Sequence, residues 1–174
     1  MFCLQGIFMY KLFKITGVLF AAALFGFPAV TKADPLKIEK KVLTAETDAI
    51  KAMTFNVRVD TIFDIFGNRW SSRKKIAVNT IRKNNPDVVG LQESKFKQVR
   101  DIRKGLPEYK CYSAGRNDGE EKGESCAILF RKDRFKLIDY GTFWFSDTPA
   151  KPGSKDWGNF PPRICSWVKL ENVT

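Results

Sequence analysis

Apolar and polar residues alternate from Ala49 to Val57, and the alternation breaks at Asn56. A period of two marks a half-buried strand, so a strand is predicted there. The connection from Asp60 to Trp70 follows, with Gly67-Asn68 as a turn signal. From Arg73 to Asn84 the period becomes helical. Ile76, Ala77, Thr80 and Ile81 share one face and most basic residues lie off it. Asn84-Asn85-Pro86 stops that helix. Asp87-Val88-Val89-Gly90-Leu91-Gln92-Glu93 is a short apolar run closing on an amide and a carboxylate, and it predicts a second strand. A second helix is predicted from Lys95 to Gly105, with Phe96, Val99 and Ile102 on one face.

Beyond Gly105 the pattern changes. Tyr109 to Ala114, Cys126 to Phe130, Phe135 to Ile138 and Ile164 to Leu170 read as strands. The loops between them include Arg116 to Gly123 and the proline-rich stretch from Ser146 to Pro162. The order β-α-β-α followed by consecutive strands predicts a layered α/β domain with a mixed sheet.

The first 33 residues have a different character. Lys11 and Lys14 precede an apolar stretch from Ile15 to Val30, and Thr31-Lys32-Ala33 closes it on a small residue. This is the layout of a signal peptide cleaved before Asp34, which predicts an exported protein, periplasmic or secreted. Met9 also fits as the start. A retained anchor is the competing arrangement, but the stretch falls short of the roughly 20 residues that span a bilayer. No stable membrane association after cleavage is therefore expected. Residues 34–48 form a polar, lysine-rich lead-in, and residues 49–174 form the domain.

Composition narrows the picture. The 174 residues suit one domain, and 44% hydrophobic content supplies a sizeable core, which excludes a disordered chain. The net charge is +11, and it remains +8 from Asp34 onward, with 27 basic against 19 acidic residues. A basic domain suits a phosphorylated or polyanionic substrate, nucleic acid among the candidates; a solvated surface of mixed charge fits equally well. No block of consecutive basic residues marks a nucleic-acid arm, and nothing in the composition implies an obligate protein partner. Removing the leader leaves Cys111, Cys126 and Cys165, which lack CxxC spacing, and the chain has no histidine, so a zinc cluster is not predicted. Cys126 and Cys165 lie in apolar runs, where buried thiols are expected; one bridge remains open, without a pair chosen by spacing.

The chemistry-bearing groups sit at two predicted strand ends. Asn56 follows Met53-Thr54-Phe55, and Glu93 follows Val88-Val89-Gly90-Leu91-Gln92. Sites in α/β sheets form outside the carboxyl ends of strands. An amide and a carboxylate there suit Mg²⁺, which takes oxygen ligands from one or two carboxylates and keeps several waters. In the competing arrangement Asn56 caps a turn and Glu93 makes a surface salt bridge.

Thr54-Phe55-Asn56-Val57-Arg58, then Asn85-Pro86-Asp87-Val88-Val89-Gly90-Leu91-Gln92-Glu93, resembles the opening pair of motifs in the endonuclease/exonuclease/phosphatase family. The likeness continues through Gly123 to Phe135, Gly141 to Pro149 and Pro162 to Val168, and favours that family's bacterial secreted members. It covers nearly everything after Ala49. It implies the N-terminal part of a four-layer α/β sandwich, two packed mixed β-sheets flanked by helices. It also implies phosphoester hydrolysis, by a phosphodiesterase, nuclease or phosphatase, with Mg²⁺ or Mn²⁺ as cofactor. Glu93 would be the metal-ligand carboxylate and Asn56 a neighbour in the metal shell or at the phosphate, both counted as catalytic. Arg116 and Arg163 are candidate phosphate contacts. Trp144 and Trp167 are expected to pack between the sheets rather than line a cleft.

Two departures stand out. Glu124-Ser125 occupies the place where many nuclease members carry a tyrosine. The family's later motifs bring histidines and acidic residues, whereas this chain ends at Thr174 without a histidine. An N-terminal fragment, inactive as it stands, is therefore expected; the alternative is a non-catalytic remnant or phosphate-binding product of a truncated gene.

Overall fold

A parallel pairing of the first two strands organises the molecule. β1 (Ala52–Asn56) lies beside β2 (Val88–Gln92) in parallel, with Ala52 opposite Val88 and Asn56 opposite Gln92. Parallel neighbours need a crossover. Here a short 3₁₀ turn (Phe66–Asn68) and helix α1 (Trp70–Asn84) provide it. These elements belong to a computed structural model that describes residues 49–173. The predicted signal peptide (1–33) and lead-in (34–48) lie outside the described residues. After β2 come the two-residue β3 (Ser94–Lys95), helix α2 (Phe96–Gly105), β4 (Tyr109–Tyr112), β5 (Glu124–Ser125) and β6 (Ile128–Arg131). A long hairpin, β7 (Phe135–Trp144) and β8 (Ile164–Asn172), completes the described chain.

Four strands form a mixed sheet in the order β1-β2-β6-β4, antiparallel except for β1–β2. β3 and β5 make a small ribbon, and β7 and β8 a separate antiparallel pair. Strand side chains alternate between faces, and the central strands bury both. Val89, Leu91 and Leu129 pack against Trp70, Ala77, Val78 and Ile81 of α1 and Val99 and Ile102 of α2. Val88, Ile128 and Phe130 face the other way, against Phe135 and Val168 of the β7–β8 pair. This double coverage explains the continuous apolar run of β2. The described residues thus form three layers: helices, a four-stranded sheet and a two-stranded sheet. Mixed α/β architecture with face-to-face sheets and a helix layer agrees with the sequence expectation.

Several details differ from it. Helix α1 begins at Trp70, whose indole N–H donates to Asp101 Oδ2 (2.9 Å) and ties the two helices together. Its buried stripe is Trp70, Ala77, Val78 and Ile81, while Ile76 is 66% exposed. In α2 the polar Gln98 is buried, and Phe96, in the helix's first turn, is exposed. The strand predicted from Phe135 to Ile138 runs on to Trp144 through an irregularity between Leu137 and Asp139. Trp144 is buried, but against the loop that holds Arg116 and Gly119 rather than in the core between the sheets, its indole N–H donating to the Arg116 carbonyl (2.6 Å). Trp167 does not pack between the sheets. Val168 takes the inner face, so alternation turns Trp167 outward, where its indole covers Gly141 closely enough that a Cβ there would lie 2.9 Å away. All three cysteines in the described region are thiols, half-buried; burial pushes Cys111 up to about 12 and Cys126 up to about 11.

Candidate active site

The parallel register brings the ends of β1 and β2 level, which sets Asn56 beside the residue following Gln92. Glu93 leaves the strand in a left-handed conformation (φ 57°), as does Arg58 (φ 56°) two residues past Asn56. For an L-residue this costs roughly 1–2 kcal/mol, so the surroundings must hold it. They do so through Glu93's own carboxylate. Asn56 Nδ2 donates to Glu93 Oε1 (2.8 Å), and the Val59 amide donates to Oε2 (3.2 Å). Asn56 Oδ1 in turn accepts the Arg58 amide (2.8 Å). Asn56 therefore does cap a turn, as the competing arrangement held, and it orients the acid as well. Glu93 makes no salt bridge among the described residues; its half-buried carboxylate is held by an amide side chain and a backbone N–H alone.

The loop after β1 is fastened by residues that sequence reasoning passed over. Gln98 donates Nε2–H to the Arg58 carbonyl (2.9 Å), and its Oε1 accepts the amides of Asp60 (3.0 Å) and Lys95 (3.1 Å). Three backbone partners satisfy a fully buried amide. Arg73 reaches from α1 to the carbonyls of Val57 (2.5 Å) and Arg58 (3.2 Å) and to Asp64 Oδ2 (3.3 Å). Asp64, 2% exposed, also accepts from Arg58 NH2 (2.6 Å). The hydrogen bond from Arg58 holds the Asp64 carboxyl below the usual carboxylate range despite its burial, and raises Arg58 in turn. The one sequence signal for this clamp was a polar Gln98 beside apolar helix positions; its partners are backbone groups that no side-chain pattern reveals.

The two candidate phosphate-binding arginines fall in different surroundings. Arg116 follows the isolated pairing of Gly115 with Ser125, and Ser125 pairs with Ser94, the residue after Glu93. Its NH2 pairs with Glu124 Oε1 (3.0 Å), and its buried Nε–H has no acceptor among the described residues. Neither Asn56 nor Glu93 hydrogen-bonds to it. Arg163 stands exposed just before β8; its carbonyl accepts the Phe145 amide (2.9 Å), and its guanidinium joins none of these groups. The structure thus unites Asn56 with Glu93, sets Arg116 on the adjoining ribbon, and leaves Arg163 apart. No cluster of three or more His, Cys, Asp or Glu able to hold a metal occurs among the described residues. The oxygen donors on offer are the Glu93 carboxylate and Asn56 Oδ1, a hard set that fits Mg²⁺ only in its water-rich mode.

Comparison with known proteins bears on the family and the fold. The sequence pattern of the Endonuclease/Exonuclease/phosphatase family matches residues 53–164. A solved endonuclease/exonuclease/phosphatase structure from Bacteroides vulgatus is 36% identical, covering 71% of this chain and 47% of that one, with a TM-score of 0.68. A mannosyl-6-phosphatase from Bacteroides thetaiotaomicron is 34% identical over 71% of this chain and 46% of its own, with a TM-score of 0.68. An uncharacterized protein of Acanthamoeba polyphaga mimivirus is 30% identical over 95 residues, 52% of this chain and 35% of that protein. The chain spans about half the length of the solved structures it matches.

Proposed function

This chain belongs to the endonuclease/exonuclease/phosphatase family, and from that membership we propose that it forms part of a metal-dependent phosphoester hydrolase whose metal ligand is Glu93. The observation that carries the reading is the Glu93 carboxylate, held by Asn56 and the Val59 amide and in no ion pair among the described residues, with Arg58 acting on it only as a nearby charge. Each oxygen accepts one hydrogen bond there and keeps lone-pair capacity. Glu93, with Asn56 beside it, would hold Mg²⁺ or Mn²⁺, which supplies Lewis-acid polarisation of a phosphoryl oxygen and charge stabilisation for the leaving group. Asn56 fixes the direction of the acid. Arg116, with an N–H unpaired among the described residues, is the better candidate for a phosphate contact, and Arg163, exposed and apart from these groups, would contribute only long-range positive charge.

The name of the Bacteroides mannosyl-6-phosphatase favours a sugar phosphate over nucleic acid as substrate. Export remains part of the proposal, and no obligate protein partner is included. Since the 174 residues contain no histidine, imidazole cannot serve as base for the attacking water, and this chain by itself is expected to bind metal with little turnover.

The test is Mn²⁺ affinity by electron paramagnetic resonance, together with hydrolysis of mannose 6-phosphate and a single-stranded oligonucleotide. Glu93→Gln keeps the shape and removes the charge, so Mn²⁺ affinity should drop ~tenfold or more. Equal Mn²⁺ binding by wild type and variant would leave Glu93 a structural acid. Metal binding without turnover in any longer product of the gene would favour the phosphate-binding alternative.

A further inference from the structure

We propose that the groove between α1 and α2 is a second anion site, taking a ligand that carries two or more closely spaced phosphate groups. The groove has a volume of about 350 Å³ and shares no residue with the Glu93–Asn56 site. Lys74, Lys75 and Arg82 of α1 and Lys104 of α2 line it, over a floor where Val78 meets Gly105. The contact on the floor is close because residue 105 has no side chain; a Cβ there would lie 2.8 Å from both γ-carbons of Val78.

The charges in the groove are poorly compensated. Four cations face one acid, Asp101, and its Oδ2 already accepts the Trp70 indole N–H. Lys74, Lys75 and Lys104 pair with no carboxylate among the described residues. Arg82 is locked in place, donating to Asn79 Oδ1 (3.0 Å) and to the Gly105 carbonyl (2.6 Å). Arg82 and Lys104 lie in the last turns of their helices, where the helix dipole accounts for them. Lys74 and Lys75 lie in the other half of α1, where it does not.

The span of the cations selects the ligand. Lys75 and Arg82 are separated along the helix by roughly 10 Å at 1.5 Å per residue, more than one phosphate covers. A chain of phosphates fits instead, either a free oligophosphate or a short stretch of nucleic-acid backbone. Both present the same chemistry, and the experiment separates them.

The full chain is titrated calorimetrically, in chelator to exclude metal, with inorganic tripolyphosphate and separately with a six-residue thymidine oligonucleotide. Binding of tripolyphosphate alone identifies an oligophosphate site; binding of both identifies a backbone track. In either case the double variant Lys75→Ala/Lys104→Ala should weaken binding ~tenfold and flatten its salt dependence by about two charges. Lys110→Ala/Lys169→Ala removes the same charge elsewhere and should change affinity by less than about twofold. Glu93→Gln should leave binding unchanged, which separates this site from the metal site. All four lysines are exposed, so the fold should survive. Binding of neither probe, or equal loss in the two double variants, overturns the proposal.

Discussion

At the scale of single residues, the candidate site rests on atoms whose partners are backbone groups. Glu93 and Asn56 were legible in the sequence because strand ends carrying an amide and an acid are unusual in an otherwise apolar run. Gln98 was not. Its role comes from the Arg58 carbonyl and the Asp60 amide, which the chain brings to it from about forty positions away. Replacing Gln98 with Leu would leave the part-buried Asp60 and Lys95 amides without their acceptor, each costing about 1–3 kcal/mol if no water reaches it, while the Arg58 carbonyl keeps Arg73. The expected outcome is a loss of roughly 2 kcal/mol or more in chemical denaturation. Faster amide exchange at Asp60 and Lys95 should accompany it, with weaker Mn²⁺ binding as the loop loosens. Unchanged exchange at those amides would show that Gln98 merely fills space.

At the scale of elements, helix faces were the least legible feature. The periodicity identified α1 but misjudged its buried stripe, placing Ile76 inside and omitting Trp70 and Val78. A period fixes the width of a stripe, and the neighbour decides its centre. Here the neighbour is α2, joined by the Trp70–Asp101 hydrogen bond and the Val78–Gly105 contact. Gly105→Ala tests that contact. Alanine favours helix by up to about 1 kcal/mol over glycine, but the added Cβ would sit 2.8 Å from both γ-carbons of a stiff valine. Overpacking typically costs about 1–3 kcal/mol, so the steric cost should win and the variant should unfold at lower denaturant. A more stable variant would mean that the helices part freely at this point.

At the scale of the whole molecule, two faces of one sheet are covered by different partners, helices on one side and the β7–β8 pair on the other. Acidic groups set the pH limits of this assembly. Asp64, Asp118 and Asp133 all titrate below their ordinary range, Asp133 at about 2, chiefly through hydrogen bonds from Arg58, the Glu120 amide and Arg131 respectively. A depressed carboxyl stabilises the folded state above its unfolded value near 4 and loses that contribution as pH falls through the folded value. The buried thiols act oppositely, favouring the fold below about pH 9 and losing that contribution above it. Thermal midpoints should therefore be highest between roughly pH 5 and 8, with the acid loss spread from about 4 to 2. A flat midpoint across the acid range would contradict the hydrogen-bonding pattern. For export, mass spectrometry of the mature protein should find its N-terminus near Asp34. Recovery of intact Met1 or Met9 from a membrane fraction would favour an anchor.

The sequence by itself determined the order of the principal helices and strands, the apolar run of β2 and the two residues at the strand ends. Each of these follows from local chemistry: a period, a turn signal, a polar group ending an apolar run. It also carried the family likeness, because ordered motifs survive as strings. Only the tertiary structure decided which way Trp167 faces, that Arg116 adjoins the site while Arg163 stands apart, and that Gln98, Arg73 and Asp64 clamp the loop that follows Asn56. These depend on which face of β8 is set against the sheet, on pairings between distant segments, and on backbone partners common to every residue. No pattern of side chains along a single chain encodes such relations, since the same polar group is solvated or satisfied according to what the fold sets against it.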